Sequence, residues 1–594
     1  MTSPVCFILH PLDTLRNIER ISMFFRRAAL CLLLLAGTCS ITQADENPGD
    51  WFSDDAIIVV RVRQPKATMA KVVSFVYSAA PMYTPLLLSN ESDILEFTNE
   101  PLFKATDLDH DFWWAMFNDE AGEAVSAFIV RTRDDDEVIN ELNELIADDA
   151  SESVLRHGRY VIIATAQPTL DQIQKRIDGQ GTSWRESISP EQKKTFETGD
   201  LSVHVNTRHV YDIVRKNADD DVVAHKEFRN SLTQMLFNAY DEEAVLKFVS
   251  REILEKGADA IVGAAGVAIS ATVDHTGIET EILIDHDLDR ENVKQKPHAL
   301  SNFQVLHRMP PDRQCYVAGT APIPSPAGWF LNVIDVDNHD DKDAPTLTEQ
   351  GKIQRRLRKL KYGQWSVAFS LPTITLPEFR LDEVAEIENP QAHRLMNNNL
   401  AIIQTQFKEF REKRAYELLD GVEQFGDRTA DIHRITYKKS DEENEDTHAK
   451  IYGSNGLVSR CVYEGNLFVN TIGGGIQAMQ EALQRTHATD IANLRPGLAA
   501  TRTKLPENSS FILLLDAASV FASLTQLDEG VANHEGKLGE IVDLGIKMAK
   551  PTQSFCGVAF ALESEQARLN LYVPIEQLRT NSPFFFMMFA GEFL

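Results

Sequence analysis

The body of this chain is written twice, and that repetition limits its fold more than any other feature. Residues 154–177, VLRHGRYVIIATAQPTLDQIQKRI, have a counterpart at 460–483, RCVYEGNLFVNTIGGGIQAMQEAL. Each spells a strand, a turn centred on Gly158 or Gly465, a second strand and a helix. Tyr160 and Ile162 answer Leu467 and Val469 at alternate positions, the period of a half-buried strand. Leu170, Ile173 and Ile177 answer Ile476, Met479 and Leu483, spaced as one helix face requires. In a second pair, 200–214 and 510–524, an apolar strand ends at Asn206 or Asp516. Either side chain can accept a hydrogen bond from an orphan amide at a helix start. A third pair, 266–285 and 557–574, reads as antiparallel hairpins with polar turns. A fourth, 56–75 and 315–333, reads as strand then helix, with Pro65 and Pro326 near the helix starts.

Four pairs in one order predict two homologous halves, 45–289 and 301–594, joined by a polar linker over 290–300 (RENVKQKPHAL). Strand–strand–helix units with short turns predict an α+β fold. Each half is expected to hold a largely antiparallel sheet with helices on one face. The second half carries a further helical insertion at about 390–420, where Leu395, Ile402, Ile403, Phe407 and Phe410 fall near helical spacing.

Residues 23–44, MFFRRAALCLLLLAGTCSITQA, have the layout of a secretory signal peptide. Arg26 and Arg27 precede a short apolar run, and Thr42 and Ala44 offer small residues before a cleavage point. The run is shorter than the ~20 residues that span a bilayer. Export to the periplasm, the cell envelope or the outside is therefore expected, with an uncleaved membrane anchor as the alternative. Residues 1–22 precede a second Met and add nothing a signal peptide needs, so a start at Met23 is the simplest reading. Cys39 is preceded by Thr38, where lipoprotein processing wants Gly or Ala. Cleavage leaves Cys315, Cys461 and Cys556, all in apolar strand-like contexts and read as three buried free thiols.

The 594 residues hold 88 acidic and 59 basic side chains, a formal charge of -29, and losing residues 1–44 removes more basic than acidic groups. So acidic a surface repels phosphate backbones, which argues against nucleic acid as a partner. The segments DDAIIVVRV, RYVIIATAQPTLDQIQKRI, GDLSVHVNTRHVYDIV and GVAISATVDHTGIETEILID resemble a family of exported bacterial proteins of unknown function. The halves of those proteins are strand–helix units closed by a hairpin. The resemblance covers most of the mature chain and implies no catalytic residues, because that family has none assigned. The helical insertion departs from its pattern.

The sequence holds no P-loop, HExxH, GxSxG or paired CxxC. Gly473–Gly475 stands between a strand and a helix, yet lacks the Lys and Ser or Thr of a phosphate loop and reads as a structural turn. Asp107, Asp109, His110 and Asp111 gather ligand-type side chains just before Trp113 and Trp114. Asp109 and Asp111 are the candidate acid–base pair, and the indoles are candidate platforms for sugars. The opposing reading is a polar turn into a strand whose aromatics pack inward. Asp335, Asp337, Asp341 and Asp343 are candidate calcium ligands: the run opens like an EF-hand loop, but its sixth position is Asp340 and its twelfth Thr346. No other cofactor is expected.

Duplication without an asymmetric catalytic cluster points to a non-enzymatic binding or structural module of the cell envelope. A groove between the halves would take an envelope protein, a glycan or a small ligand. The alternatives are an envelope hydrolase using the clustered carboxylates and a calcium-stabilised surface assembly component.

Overall fold

The structure, a computed structural model, describes residues 47–79, 106–118, 124–133, 153–217, 222–230, 261–286, 298–320, 362–372, 379–404, 414–437, 451–452, 456–488, 495–527 and 554–580. The chain divides into two compact units. The first is Met1–Lys296 with Glu563–Leu569; the second is Pro297–Leu562 with Asn570–Leu594. Both combine helices with antiparallel sheet, so the protein is α+β.

The first unit contains β1 (Ile58–Val62), β2 (Phe112–Asn118), β3 (Ala124–Arg131), β4 (Ser153–His157), β5 (Tyr160–Ala164), β6 (Leu201–Val205), β7 (Ala264–Val273) and β8 (Gly277–His286). Its strands lie in the order β4-β5-β3-β2-β1-β6-β7-β8, each antiparallel to its neighbours. Helix α1 (Pro65–Ala79) follows β1, α2 (Gln167–Ile177) follows β5, α3 (Pro190–Thr198) precedes β6 and α4 (Thr207–Asn217) follows it. Pro65 opens α1, where a missing amide hydrogen costs nothing. On one sheet face Val59, Trp113, Ala115, Phe117, Ala127, Ile129 and Ile162 pack with Leu170 and Ile173 of α2, Phe196 of α3 and Trp184. The other face is also covered: Val130, Val161 and Ile163 cluster with Phe112 and Val154. Hence β5 does not show the alternation of a half-buried strand, since Val161, Ile162, Ile163 and Ala164 are all buried.

The second unit contains β9 (Cys315–Gly319), β10 (Tyr362–Ser370), β11 (Arg380–Ile387), β12 (Arg414–Phe425), β13 (Arg428–Tyr437), β14 (Leu457–Glu464), β15 (Leu467–Ile472), β16 (Phe511–Leu515) and β17 (Cys556–Leu562), followed by β18 (Gln566–Pro574). The order here is β12-β13-β14-β15-β11-β10-β9-β16-β17, again antiparallel throughout. Its helices are α5 (Pro390–Gln404), α6 (Gly475–Arg485), α7 (Pro496–Lys504), α8 (Ala517–Leu527) and α9 (Ile575–Thr580). Met479 and Leu483 of α6 and Leu498 of α7 pack with Ala318, Ala368, Val384, Val462, Val469 and Ile512 on one face. Val317, Val367, Leu381, Cys461 and Phe468 form the opposite core.

Three further expectations change. Helices are not confined to one face: α6 and α7 pack on one face of the second unit's sheet, and α5 meets the opposite face at Asp431 and Cys461. The α6 face is Ala478, Met479, Ala482 and Leu483, while Ile476 is 51% exposed, because the Gly473–Gly475 turn sets where the helix meets the sheet. Those glycines have φ of +75°, +66° and +64°, and a Cβ on Gly473 would meet the Phe379 carbonyl oxygen. A left-handed backbone at such close quarters admits only glycine readily. Of the helical insertion expected over about 390–420, Pro390–Gln404 is helical as α5, while 405–413, with Phe407 and Phe410, lie outside the described residues. From Arg414 the chain is β12, hydrogen-bonded in register to β13, so the part of the expected insertion over 414–420 is strand.

Both expected helix caps form. Asn206 Oδ1 accepts from His209 N at 3.0 Å, and Asp516 Oδ1 accepts from Ser519 N at 3.1 Å. All three thiols are free. Cys315 and Cys556 lie on either side of Leu515 in the strand register, two strand spacings or ~10 Å apart, beyond disulfide reach. Among the described residues no helix is long and apolar enough to cross a membrane.

Candidate functional site

The 107–111 loop leads into β2 and clasps the turn between β1 and α1. Asp111 Oδ2 takes Arg61 Nε at 2.7 Å and Nη2 at 2.6 Å, and its Oδ1 accepts from Gln64 N at 3.1 Å. Gln64 is one of two non-glycine residues with positive φ among the described residues, so the carboxylate steadies a strained turn. Lys66 Nζ reaches Asp109 Oδ2 at 3.4 Å, and Lys66 N donates to Leu108 O at 3.1 Å. Asp107 Oδ2 lies 3.1 Å from His110 Nδ1 and 4.0 Å from Arg131 Nε, while Arg131 also meets His110 Nε2. Asp109 and Asp111 thus serve as counter-ions for Lys66 at the start of α1 and Arg61 of β1. The indoles are no platform for sugars: Trp113 is buried against Phe196, and Trp114 is buried beside Phe128. The guanidinium of Arg61 covers the Trp113 ring at 5.6 Å.

Asp335, Asp337, Asp341 and Asp343 lie outside the described residues. Among the described residues no group of three or more His, Cys, Asp and Glu is placed to hold a metal ion.

A second polar cluster, which the sequence reading misses, lies on one face of the second unit's sheet. Asp431 of β13, Cys461 of β14, Asn470 of β15 and Glu383 of β11 stand directly opposite one another in register across four strands. All four are buried. Asn470 Nδ2 donates to Glu383 Oε2 at 3.1 Å, and Ser459 Oγ donates to Asn470 Oδ1 at 2.7 Å. Helix α5 touches this row through polar groups. Arg394 Nε and Nη2 fork onto Asp431 Oδ2 and Oδ1, both at 2.5 Å, and Nη2 also meets Asp420. His393 Nδ1 lies 3.1 Å from the Tyr463 hydroxyl, and Asn397 Nδ2 lies 3.8 Å from Cys461 Sγ. On β13, His433 Nδ1 lies 2.8 Å from the Tyr416 hydroxyl.

Burial sets the protonation of this cluster. It pushes the Cys461 thiol up to about 12 and raises the Tyr416 and Tyr463 phenols well above their ordinary range. It lowers His393 to about 4 and lowers His433. Burial also opposes ionisation of Asp431, but the Arg394 fork, Asp420 and the Gly421 amide outweigh it and hold that carboxyl low. At neutral pH the thiol and phenols keep their protons and the imidazoles are uncharged. The cluster can hydrogen-bond and hold one cation; it offers no activated nucleophile. A sequence signal existed in the alternation of polar Ser459, Cys461 and Tyr463, and of Asp431 and His433, within apolar strands.

No family model matches the chain, and no curated protein matches it. A solved structure, "Structure of crystal form III of TP0453", is similar at 6% identity with a TM-score of 0.22, over 42% of this chain and 83% of that one. A likeness that small carries no argument.

Proposed function

We propose that this is an exported, non-enzymatic binding or structural protein of the cell envelope, built from two duplicated α+β halves. The two-half reading is supported by strand order: β4-β5-β3-β2-β1-β6-β7 in the first unit recurs as β14-β15-β11-β10-β9-β16-β17 in the second. Each of these strands falls in the same sequence order within its half, and α5, β12 and β13 are then an insertion between β11 and β14. Export rests on the signal-like segment 23–44.

The observation that carries the non-enzymatic reading is the engagement of Asp109 and Asp111 by Lys66 and Arg61. A general acid must hold a proton and a nucleophile must face its substrate, whereas these carboxylates are occupied in holding a turn. The purified protein is expected to turn over nothing in a panel of glycans and esters. Turnover that Asp109→Asn with Asp111→Asn abolishes, in a variant whose circular dichroism is unchanged, would replace this reading with a hydrolase. Export is checked by the amino-terminal sequence of the protein recovered from the periplasm and medium, expected to begin at Asp45.

A further inference from the structure

We propose that the sheet face beneath α5 is a binding site for a small organic cation, a guanidinium or primary ammonium group, whose place on Asp431 is held by the Arg394 side chain when α5 is closed. Asp431 is 1% exposed, yet its cation arrives on a side chain that is 41% exposed. A buried carboxylate reached by an arm from outside is a cation site with its own occupant. The geometry is a parallel fork, the arrangement in which a carboxylate best holds a guanidinium.

The helix carrying that arm is lightly seated. Among the described side chains of α5 only His393 is buried, and Leu395 is 63% exposed. The helix grips the sheet through the Arg394 fork, His393 against Tyr463 and the Phe468 ring, and Asn397 beside Cys461. Over 390–399 the contacts are chiefly polar, so a ligand that replaces them can displace the Arg394 arm with little apolar area of that stretch re-exposed.

The floor extends beyond Asp431. Cys461, Asn470 and Glu383 continue the row for about three strand spacings, ~14 Å, and supply hydrogen-bonding groups to the rest of a ligand. An independent sign of a ligand is His433, on the same face two positions along β13. It is 8% exposed, and its Nε2 has no hydrogen-bond partner among the described residues. The Tyr416 hydroxyl occupies Nδ1 in either tautomer, which leaves Nε2 a buried polar atom with no partner among the described residues. A buried polar atom without a partner is costly, and a complementary group on the ligand would recover that cost. This site stands whether or not the chain also catalyses a reaction.

The test uses the full-length exported chain, its Arg394→Ala variant and methylguanidinium as the probe. Arg394→Ala is expected to bind it saturably and to gain Tm as it does, with apparent affinity at least tenfold above the wild type, where Arg394 competes. Adding Asp431→Asn should abolish the shift. Equal shifts in the single and double variants overturn the proposal. If Arg394→Ala does not fold, the wild type is titrated instead, at constant ionic strength, with hydrogen exchange followed across 389–399. Faster exchange confined to that stretch supports displacement of Arg394; unchanged exchange at saturating probe overturns it.

Discussion

His204 of β6 illustrates what one buried side chain does to the pH dependence of the molecule. Its ring packs on Trp184 at 5.2 Å, the Gln192 amide and Gly266 close over it, and neither ring nitrogen has a hydrogen-bond partner among the described residues. Burial lowers its pKa from 6.5 to about 4. The unfolded chain therefore takes up a proton near 6.5 while the folded chain refuses it until near 4. Stability is full above 6.5, falls as pH drops through that window, and levels off near 4, a loss of about 3 kcal/mol from this residue. His393 adds a similar window. Urea midpoints measured at pH 7.5 and 4.5 should converge in His204→Gln relative to wild type; an unchanged acid limb would show that His204 is protonated when folded. Thiol chemistry belongs to this scale too. Cys461 and Cys556 are pushed up to about 12, and Cys315 higher still, by burial. A thiol reagent at pH 8 should label none of the three in the folded chain and all three in denaturant.

At the scale of elements, the sequence treats Ile476 and Met479 as equal members of one α6 face, whereas the fold exposes the first and buries the second completely. Met479→Ala should cost ~2–5 kcal/mol and Ile476→Ala less than ~0.5, read by chemical denaturation. The two helix caps differ in the same way. Asn206 caps α4 near the surface, while buried Asp516 also accepts from Ser519 Oγ at 2.6 Å and Gln577 Nε2 at 2.9 Å. Asn206→Ala should therefore cost ~1 kcal/mol, and Asp516→Ala more than that, since it strands buried donors. The caps, the hairpin 264–286 and the strand–turn–strand around Gly158 and Gly465 were legible because each is a local pattern with a local cause. The end of the helical insertion was not, because β12 is a strand through its pairing with β13, and pairing is not written in one segment's spacing.

At the scale of the whole molecule, strand position within each sheet governs local opening. β1 lies between β2 and β6, and β9 between β10 and β16, each with both edges hydrogen-bonded and both faces buried. Hydrogen exchange should be slowest at β1 and β9 and faster toward β4 and β12, each of which has one strand neighbour among the described residues. Uniform protection across each sheet would contradict this. The sequence by itself determined the α+β class, the helix caps and the hairpins, because these follow from side-chain period and from backbone groups satisfied within a few residues. Only the tertiary structure decided what the polar residues do. It turned Asp109 and Asp111, just ahead of β2, into counter-ions of Lys66 in α1 and Arg61 in β1. It also aligned Asp431, Cys461, Asn470 and Glu383 from four strands into one row. Charge pairing and strand register act between segments far apart in the chain, so no local motif can announce them.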